Sequence, residues 1–226
     1  MSEPVRVALV GATGLIGAAL IRAAVGRDDV RIVAIARREV PIPAGAKMEV
    51  LVADPENWGD AIAAAAPQVL VSALGTTWRK AGKDEAAFRA VDEVLVLACA
   101  KAAKTAGARQ MIAVSSVGAA LSAKNRYLRV KGEVEQALGK VGLARLDLLR
   151  PGLLRGPRAE TRPAERMAML ASPLIDLLLH GEMSKYRSIP AHTVARAILA
   201  LAHDKPRGKF VHEHDAIVRA ARRAGE

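Results

Sequence analysis

The chain has 226 residues, a formal net charge of +11 and only 3% aromatic residues. A chain of this length can bury roughly 70% of its unfolded surface, so it needs no disulfide, and its one cysteine, Cys99, indicates a reducing compartment. Scattered basic residues and scarce aromatics argue against nucleic-acid binding. Because no apolar run reaches about 18 residues and no secretory pattern is present, we predict a cytoplasmic protein with no membrane partner.

The first stretch of the chain, residues 5–17, is an apolar run that ends in three evenly spaced glycines and is followed by a helical pattern. This order predicts a strand, a tight turn and a helix, whose free N–H groups favour a pyrophosphate. The spacing is Gly-x-x-Gly-x-x-Gly rather than Gly-x-Gly-x-x-Gly, so the prediction of a dinucleotide site needs support from the rest of the chain. The predicted cofactor contacts are Gly11, Thr13, Gly14, Leu15, Ile16 and Gly17.

Two arginines follow the second predicted strand, Val30–Ala36. An acidic residue at this position binds the ribose 2′-hydroxyl of NAD, whereas arginine accommodates the 2′-phosphate of NADP. Arg37 and Arg38 therefore favour NADP(H), with NAD(H) as the other candidate cofactor. The alternative is a pair of solvated surface charges.

The next two predicted strands, Met48–Val52 and residues 68–72, lead into further candidate cofactor contacts. Asp54 follows the third strand, where it either contacts the adenine ring or caps the helix predicted over residues 58–66. Leu74, Gly75 and Thr76 follow the fourth strand, and their small size allows close approach of a ribose or nicotinamide.

Apolar residues at helical spacing predict one crossing helix over residues 84–106, and a fifth strand, Gln110–Val114, ends at Ser115 and Ser116. Strands alternating with helices in this way predict an α/β fold with a doubly wound parallel Rossmann sheet. Ligands of such sheets bind at the carboxyl ends of the strands.

Tyr127 and Lys131 open the next predicted helix and share one of its faces, since they are four residues apart. A phenol is a poor base at neutral pH, but a nearby ammonium favours its ionised form. Ser116, at the adjacent strand end, can hydrogen-bond the same substrate oxygen. The combination predicts acid/base chemistry on an oxygen-bearing substrate, whereas the Tyr–Lys pair alone would be unspecific.

Taken together, these motifs resemble the short-chain dehydrogenase/reductase superfamily, in its atypical, epimerase-like branch, and most closely the Tat-interacting-protein group of oxidoreductases. The resemblance covers nearly the whole chain. The residues that carry it are Gly11-Ala12-Thr13-Gly14 with Gly17, Leu74-Gly75-Thr76-Thr77, Val114-Ser115-Ser116, residues 127–135 and Leu149-Arg150-Pro151-Gly152-Leu153-Leu154.

The resemblance implies a role for each residue of the site. Tyr127 would be the general acid/base, Lys131 would bind the nicotinamide ribose and tune the tyrosine, and Ser116 would orient the substrate, with Ser115 as its substitute. Pro151 and Gly152 would join the cofactor contacts. Where the superfamily often has an asparagine in the crossing helix, this chain has Asp92, which puts an asparagine-based proton relay in doubt.

We expect one domain over residues 1–226, in which residues 151–226 form a small substrate-covering lid. Arg155, Arg158 and Arg162 would either clamp an anionic substrate or lie in a solvated loop. Apolar runs within residues 167–179 predict lid helices, and His192 is interpreted as structural. His212 and His214 are placed on one strand, where alternate side chains point to opposite faces, so we predict no metal site.

Three functions fit this sequence. The first is an NADP(H)-dependent oxidoreductase that moves a hydride between nicotinamide and a carbonyl or alcohol. The second uses the cofactor transiently for epimerisation or dehydration, and the third is a non-catalytic NADP(H) sensor or interaction protein. The presence of Tyr127, Lys131 and a serine favours the first. Either a monomer or a homodimer fits the chain.

Overall fold

A seven-stranded parallel sheet organises the computed structural model, which describes residues 3–76, 80–156 and 179–224. The strands are β1 (Val5–Val10), β2 (Val30–Ala36), β3 (Met48–Val52), β4 (Val69–Ser72), β5 (Gln110–Val114), β6 (Arg145–Leu149), β7 (Leu154–Arg155), β8 (Ile189–Pro190) and β9 (Gly208–His212). The sheet order is β3-β2-β1-β4-β5-β6-β9, and β7 pairs with β8 separately. The predicted doubly wound α/β sheet is confirmed.

The helices connect consecutive strands and cover both faces of the sheet. They are α1 (Leu15–Ala23), α2 (Trp58–Ala65), α3 (Glu85–Arg89), α4 (Val96–Thr105), α5 (Arg126–Val141), α6 (Ala191–Leu201) and α7 (His214–Arg223). A 3-10 turn, Pro55–Asn57, precedes α2, another spans Gly181–Tyr186, and a π-helical segment, Ala90–Leu95, joins α3 to α4.

Alternate residues of the central strand point into two separate apolar cores. Val7 and Leu9 of β1 face the core beneath α1, α6 and α7, whereas Ala8 and Val10 face the core beneath α2, α4 and α5. A strand buried on both faces needs a continuous apolar run, which explains the composition of β1. The strand order reverses between β1 and β4, so their carboxyl ends open the crevice where doubly wound sheets bind ligands.

Two elements differ from the sequence prediction. The single helix predicted over residues 84–106 is interrupted by the π-helical segment, whose wider turns bring Asp92 to the interior. The strand expected to carry both His212 and His214 lies earlier in the chain, as β9. His212 ends β9, whereas His214 begins α7, so the placement of His214 on a strand is wrong.

Several predictions lie outside the described residues. They concern Thr77, Arg158, Arg162 and most of the lid helices predicted within residues 167–179. Of the described helices, none combines the length and apolar character needed to cross a bilayer.

Candidate active site

The glycine turn after β1 is packed too tightly for any larger residue. Gly11 has a φ of +86°, and a Cβ there would lie 2.5 Å from the carbonyl carbon and oxygen of Ala73. A Cβ on Gly17 would lie 2.2 Å from the carbonyl oxygen of Gly11. The turn therefore rests directly on the loop after β4, and the first turn of α1 rests on the turn.

The start of α1 has three backbone amides that lack an intrahelical partner. The first helical hydrogen bond runs from the Ala18 amide to the Gly14 carbonyl at 2.9 Å, so the amides of residues 15–17 precede it. Thr13 and Gly14 are exposed, whereas the Ile16 side chain is only 5% exposed and offers a ligand its backbone alone. An amide cradle of this kind fits a pyrophosphate group.

The end of this crevice nearest β2 is basic and open. Arg37 and Arg38 follow β2 directly and are both exposed. Asp54 is also exposed, and its side chain makes no capping hydrogen bond, while Asn57 stands at the N-cap position of α2. Asp54 thus stands at the N-cap position of the 3-10 turn that leads into α2, but its carboxylate makes no capping hydrogen bond.

The loop after β4 forms the opposite wall of the crevice. Gly75 is exposed, while Leu74 and Thr76 are partly buried. The Thr76 amide donates a 2.7 Å hydrogen bond to Asp92 Oδ2, which fixes the end of this wall to the crossing helix.

Tyr127 lies in the first turn of α5, where Asn125 caps the helix by accepting a hydrogen bond from the Leu128 amide. The Tyr127 ring packs against Phe88, with ring centroids 5.6 Å apart, and stays partly exposed. Lys131 lies one turn further on, buried, with its Nζ 6.0 Å from the Tyr127 ring centroid. The structure thus places the ammonium beside the phenol as the spacing predicts.

Lys131 pairs with Asp92, which stands where the resembled superfamily often has an asparagine. Its Nζ lies 2.7 Å from Asp92 Oδ1, and the Asp92 side chain is fully buried. The contact is an ion pair rather than a well-directed hydrogen bond, since Asp92 Oδ1 has no hydrogen-bond partner of good geometry. The sequence pointed to the position of Asp92 but not to its partner.

The two serines after β5 have different environments. Ser115 is buried, and its Oγ donates a 2.5 Å hydrogen bond to Glu135, which in turn pairs with Arg150. The hydrogen bonds to Glu135 raise the pKa of Arg150 above its ordinary value. Ser116 is partly exposed and donates only a long, 3.3 Å bond to the Val117 carbonyl. The Ser115 hydroxyl is already bound to Glu135, whereas the Ser116 hydroxyl remains available to a ligand.

The loop of residues 117–123 folds back over α5. A Cβ on Gly132 would lie 2.4 Å from the Ala120 carbonyl carbon, so only glycine allows this approach. The Val117 amide donates to the Pro151 carbonyl at 3.1 Å, and Gly152 packs against the backbone of Arg187. The short connection between Ser116 and Tyr127 is therefore held from two sides.

The remaining candidate residues lie elsewhere or have other partners. Arg155 is partly buried on β7, and Gly156 packs against Leu15 at the start of α1. Burial raises the pKa of the Cys99 thiol to about 12, which makes it unreactive. His212 pairs with Asp147 at 2.8 Å, and no cluster of metal-ligating side chains occurs within the described residues.

Comparisons with known proteins agree with the geometry of this crevice. A family profile described as NAD(P)H-binding matches residues 11–205. Among solved structures, MoeE5 in complex with UDP-glucose and NAD superposes with a TM-score of 0.66 at 19% identity, covering 97% of this chain and 82% of that one. The Bordetella bronchiseptica enzyme WbmG in complex with NAD gives a TM-score of 0.67 at 17% identity, covering 94% and 73%. These structures share the Rossmann-type fold of this chain.

Curated relatives are more similar in sequence. The mitochondrial protein fmp52 of Emericella nidulans is 36% identical over 169 residues, 72% of each chain. FMP52 of Eremothecium gossypii is 35% identical over 216 residues, 92% of this chain and 94% of the relative. The chain belongs to the NAD(P)H-binding family that this profile describes, together with the fmp52 proteins.

The relatives correct one sequence prediction. Their names place them in mitochondria, which contradicts the predicted cytoplasmic location. The prediction failed because the lack of a long apolar run or secretory pattern, together with a single cysteine, does not distinguish one reducing compartment from another.

Proposed function

We propose that this protein is an NADP(H)-dependent oxidoreductase that interconverts a carbonyl compound and an alcohol. The observation that carries the proposal is the alignment of Tyr127 and Lys131 on one face of α5, with the Lys131 ammonium 6.0 Å from the phenol ring. A protein that only sensed the nucleotide would need the glycine turn and a basic residue after β2, and would have no need of this pair.

The residues of the crevice suit a nicotinamide dinucleotide. The amides of Leu15, Ile16 and Gly17 would hold the pyrophosphate, because they precede the first hydrogen bond of α1. Arg37 and Arg38 would pair with a 2′-phosphate, which supports a preference for NADP(H) over NAD(H). When bound, the dinucleotide supplies or accepts the hydride.

The positions of the loops after β3, β4 and β6 support the other predicted cofactor contacts. Asp54, whose exposed carboxylate makes no capping hydrogen bond, would approach the adenine. Leu74, Gly75 and Thr76 would line the nicotinamide side, with Pro151 and Gly152 opposite.

The remaining catalytic and binding roles belong to Tyr127, Lys131 and Ser116. Tyr127 donates the proton from its hydroxyl to the carbonyl oxygen as the carbonyl carbon receives the hydride, and takes it back in the reverse reaction. Lys131 would donate hydrogen bonds to the ribose hydroxyls of the nicotinamide half. Ser116 donates a hydrogen bond to the substrate oxygen, a task open to it because Ser115 is bound to Glu135.

The substrate contacts come from the carboxyl-terminal region. We propose that residues 151–226 cover the substrate within a single domain of residues 1–226. Arg155 is partly buried on β7, next to the glycine turn through Gly156 and Leu15, and it would receive an anionic group of the substrate.

The proposal is tested by following a label. NADPH deuterated at the transferable position is incubated with a panel of aldehydes, ketones and quinones, using the wild-type protein and Tyr127→Phe. Deuterium in the product of the wild-type reaction, and its absence with Tyr127→Phe at equal NADPH occupancy, would support the proposal. Tight NADPH binding with no transfer to any compound would instead favour a nucleotide sensor.

A further inference from the structure

Asp92 joins three elements at the floor of the crevice. It lies in the π-helical segment, and its side chain is fully buried. One carboxylate oxygen accepts from the Thr76 amide at 2.7 Å, and the other lies 2.7 Å from Lys131 Nζ. Gly75 packs above the same carboxylate, since a Cβ there would lie 3.6 Å from Oδ1.

A buried carboxylate and a buried ammonium are costly to desolvate unless each neutralises the other. Within the part of the chain that the structure describes, Asp92 is the acidic side chain paired with Lys131. The contact is ionic without good hydrogen-bond geometry at Oδ1, and an ammonium has three N–H donors. Lys131 is therefore held in place by charge and keeps N–H donors for a ligand.

We infer that Asp92 is the positioning residue for Lys131. It fixes the Lys131 ammonium relative to the loop after β4 at Thr76, so that both can contact the nicotinamide ribose at the same time. This inference rests on the proposed function and deepens it. Asp92 acts through Lys131 and the Thr76 backbone and does not itself touch the reacting atoms.

The substitution of aspartate for asparagine has a specific physical consequence. An asparagine could accept the Thr76 hydrogen bond, but it carries no charge to neutralise Lys131. With aspartate, the pair has no net charge, and the lysine keeps its position without a ligand. The site is thus preorganised for the ribose, and the asparagine-based relay is replaced by a fixed ion pair.

The test separates the nicotinamide half of the cofactor from its adenine half. Calorimetric titrations measure the affinity of wild type, Asp92→Asn and Glu93→Gln for NADPH and for adenosine 2′,5′-bisphosphate, which lacks the nicotinamide ribose. We expect Asp92→Asn to weaken NADPH binding by about tenfold or more, because a charged partner of Lys131 is lost. Its affinity for the bisphosphate stays unchanged. Glu93→Gln is the matched control, since Glu93 is the next residue of the same segment and pairs with Arg89 outside the crevice.

A double variant serves as a control in case Asp92→Asn misfolds. Asp92→Asn combined with Lys131→Met leaves no buried charge, and we expect it to fold and to bind NADPH no better than Lys131→Met alone. Equal loss of NADPH and bisphosphate binding in Asp92→Asn, or no loss of either, would overturn the inference while leaving the proposed function intact. Restored NADPH binding in the double variant would also overturn it. Failure of the wild-type protein to bind NADPH would overturn the proposed function itself.

Discussion

Two fully buried carboxylates, Asp92 and Asp147, have opposite kinds of surroundings. Asp147 lies on β6 and receives hydrogen bonds from Gln110, from two nitrogens of Arg145 and from His212, all at 2.7–2.8 Å. The other guanidinium contacts of Arg145 go to Pro206 and Asp204. Protein groups thus satisfy the hydrogen-bonding capacity of the Asp147 carboxylate.

The pair around Asp92 is incomplete by comparison. Lys131 has one ionic contact at 2.7 Å among the described residues and donors to spare, and its partner Asp92 also holds the Thr76 amide of the loop after β4. A saturated buried network fastens strands and helices together, whereas an incomplete one is prepared for a ligand. The comparison assigns Asp147 to stability and Asp92 to binding.

The largest effect is expected at the crevice. Removing the Tyr127 hydroxyl in Tyr127→Phe should lower turnover by about a hundredfold to ten-thousandfold, the usual range for a lost general acid. The melting temperature and the NADPH affinity should stay near those of the wild type, because the ring still packs on Phe88. Full turnover by Tyr127→Phe would remove this residue from the mechanism.

The opposite pattern is expected beneath the sheet. Asp147→Ala leaves Arg145 and His212 without their buried partner and should lower the free energy of unfolding by about 3–5 kcal/mol. Denaturant titration measures this loss, and a titration with NADPH under folding conditions should show unchanged affinity. Weakened NADPH binding by the folded variant would contradict the assignment of Asp147 to stability alone.

One glycine connects stability with activity. Gly132→Ala places a methyl group against the Ala120 backbone and should cost about 1–3 kcal/mol of stability, as overpacking does, while displacing the loop that follows Ser116. The turnover of Gly132→Ala should fall as well, because this loop follows Ser116. Gly139→Ala, on the same helix, is the control, since its Cβ would meet nothing closer than a Lys209 side chain at 4.0 Å. That control should gain about 0.5–1 kcal/mol, and a loss of turnover in it would refute the steric argument.

The smallest effect concerns acid stability. Burial alone would raise the pKa of Asp147, but hydrogen bonds from His212, Arg145 and Gln110 hold it below its ordinary value. The folded pKa is thus below that of the unfolded chain, so the stabilisation is full above roughly pH 4 and is lost as the pH falls through the folded pKa. Unfolding free energies measured between about pH 2 and 6 should fall less steeply for Asp147→Asn than for the wild type.

The sequence predicted what local rules determine. The glycine turn, β2 and β3 follow from residues that are adjacent in the chain, and Tyr127 and Lys131 share a face because they are one helical turn apart. The partners of these groups could not be predicted, since Asp92 and Lys131 are far apart in sequence and meet only because a π-helical segment turns the carboxylate inward. The Glu135–Arg150 pair that occupies Ser115 is likewise a product of tertiary packing.

We propose that the crevice binds NADP(H) through the glycine turn and the arginines after β2. Fluorescence titrations of the wild type, Arg37→Ala and Arg38→Ala with NADPH and NADH test it directly. We predict tighter binding of NADPH than of NADH by the wild type, and a loss of about tenfold for NADPH alone in each variant, because a charge-assisted contact to the 2′-phosphate is removed. Binding of neither nucleotide, or equal affinities that the variants leave unchanged, would contradict the account.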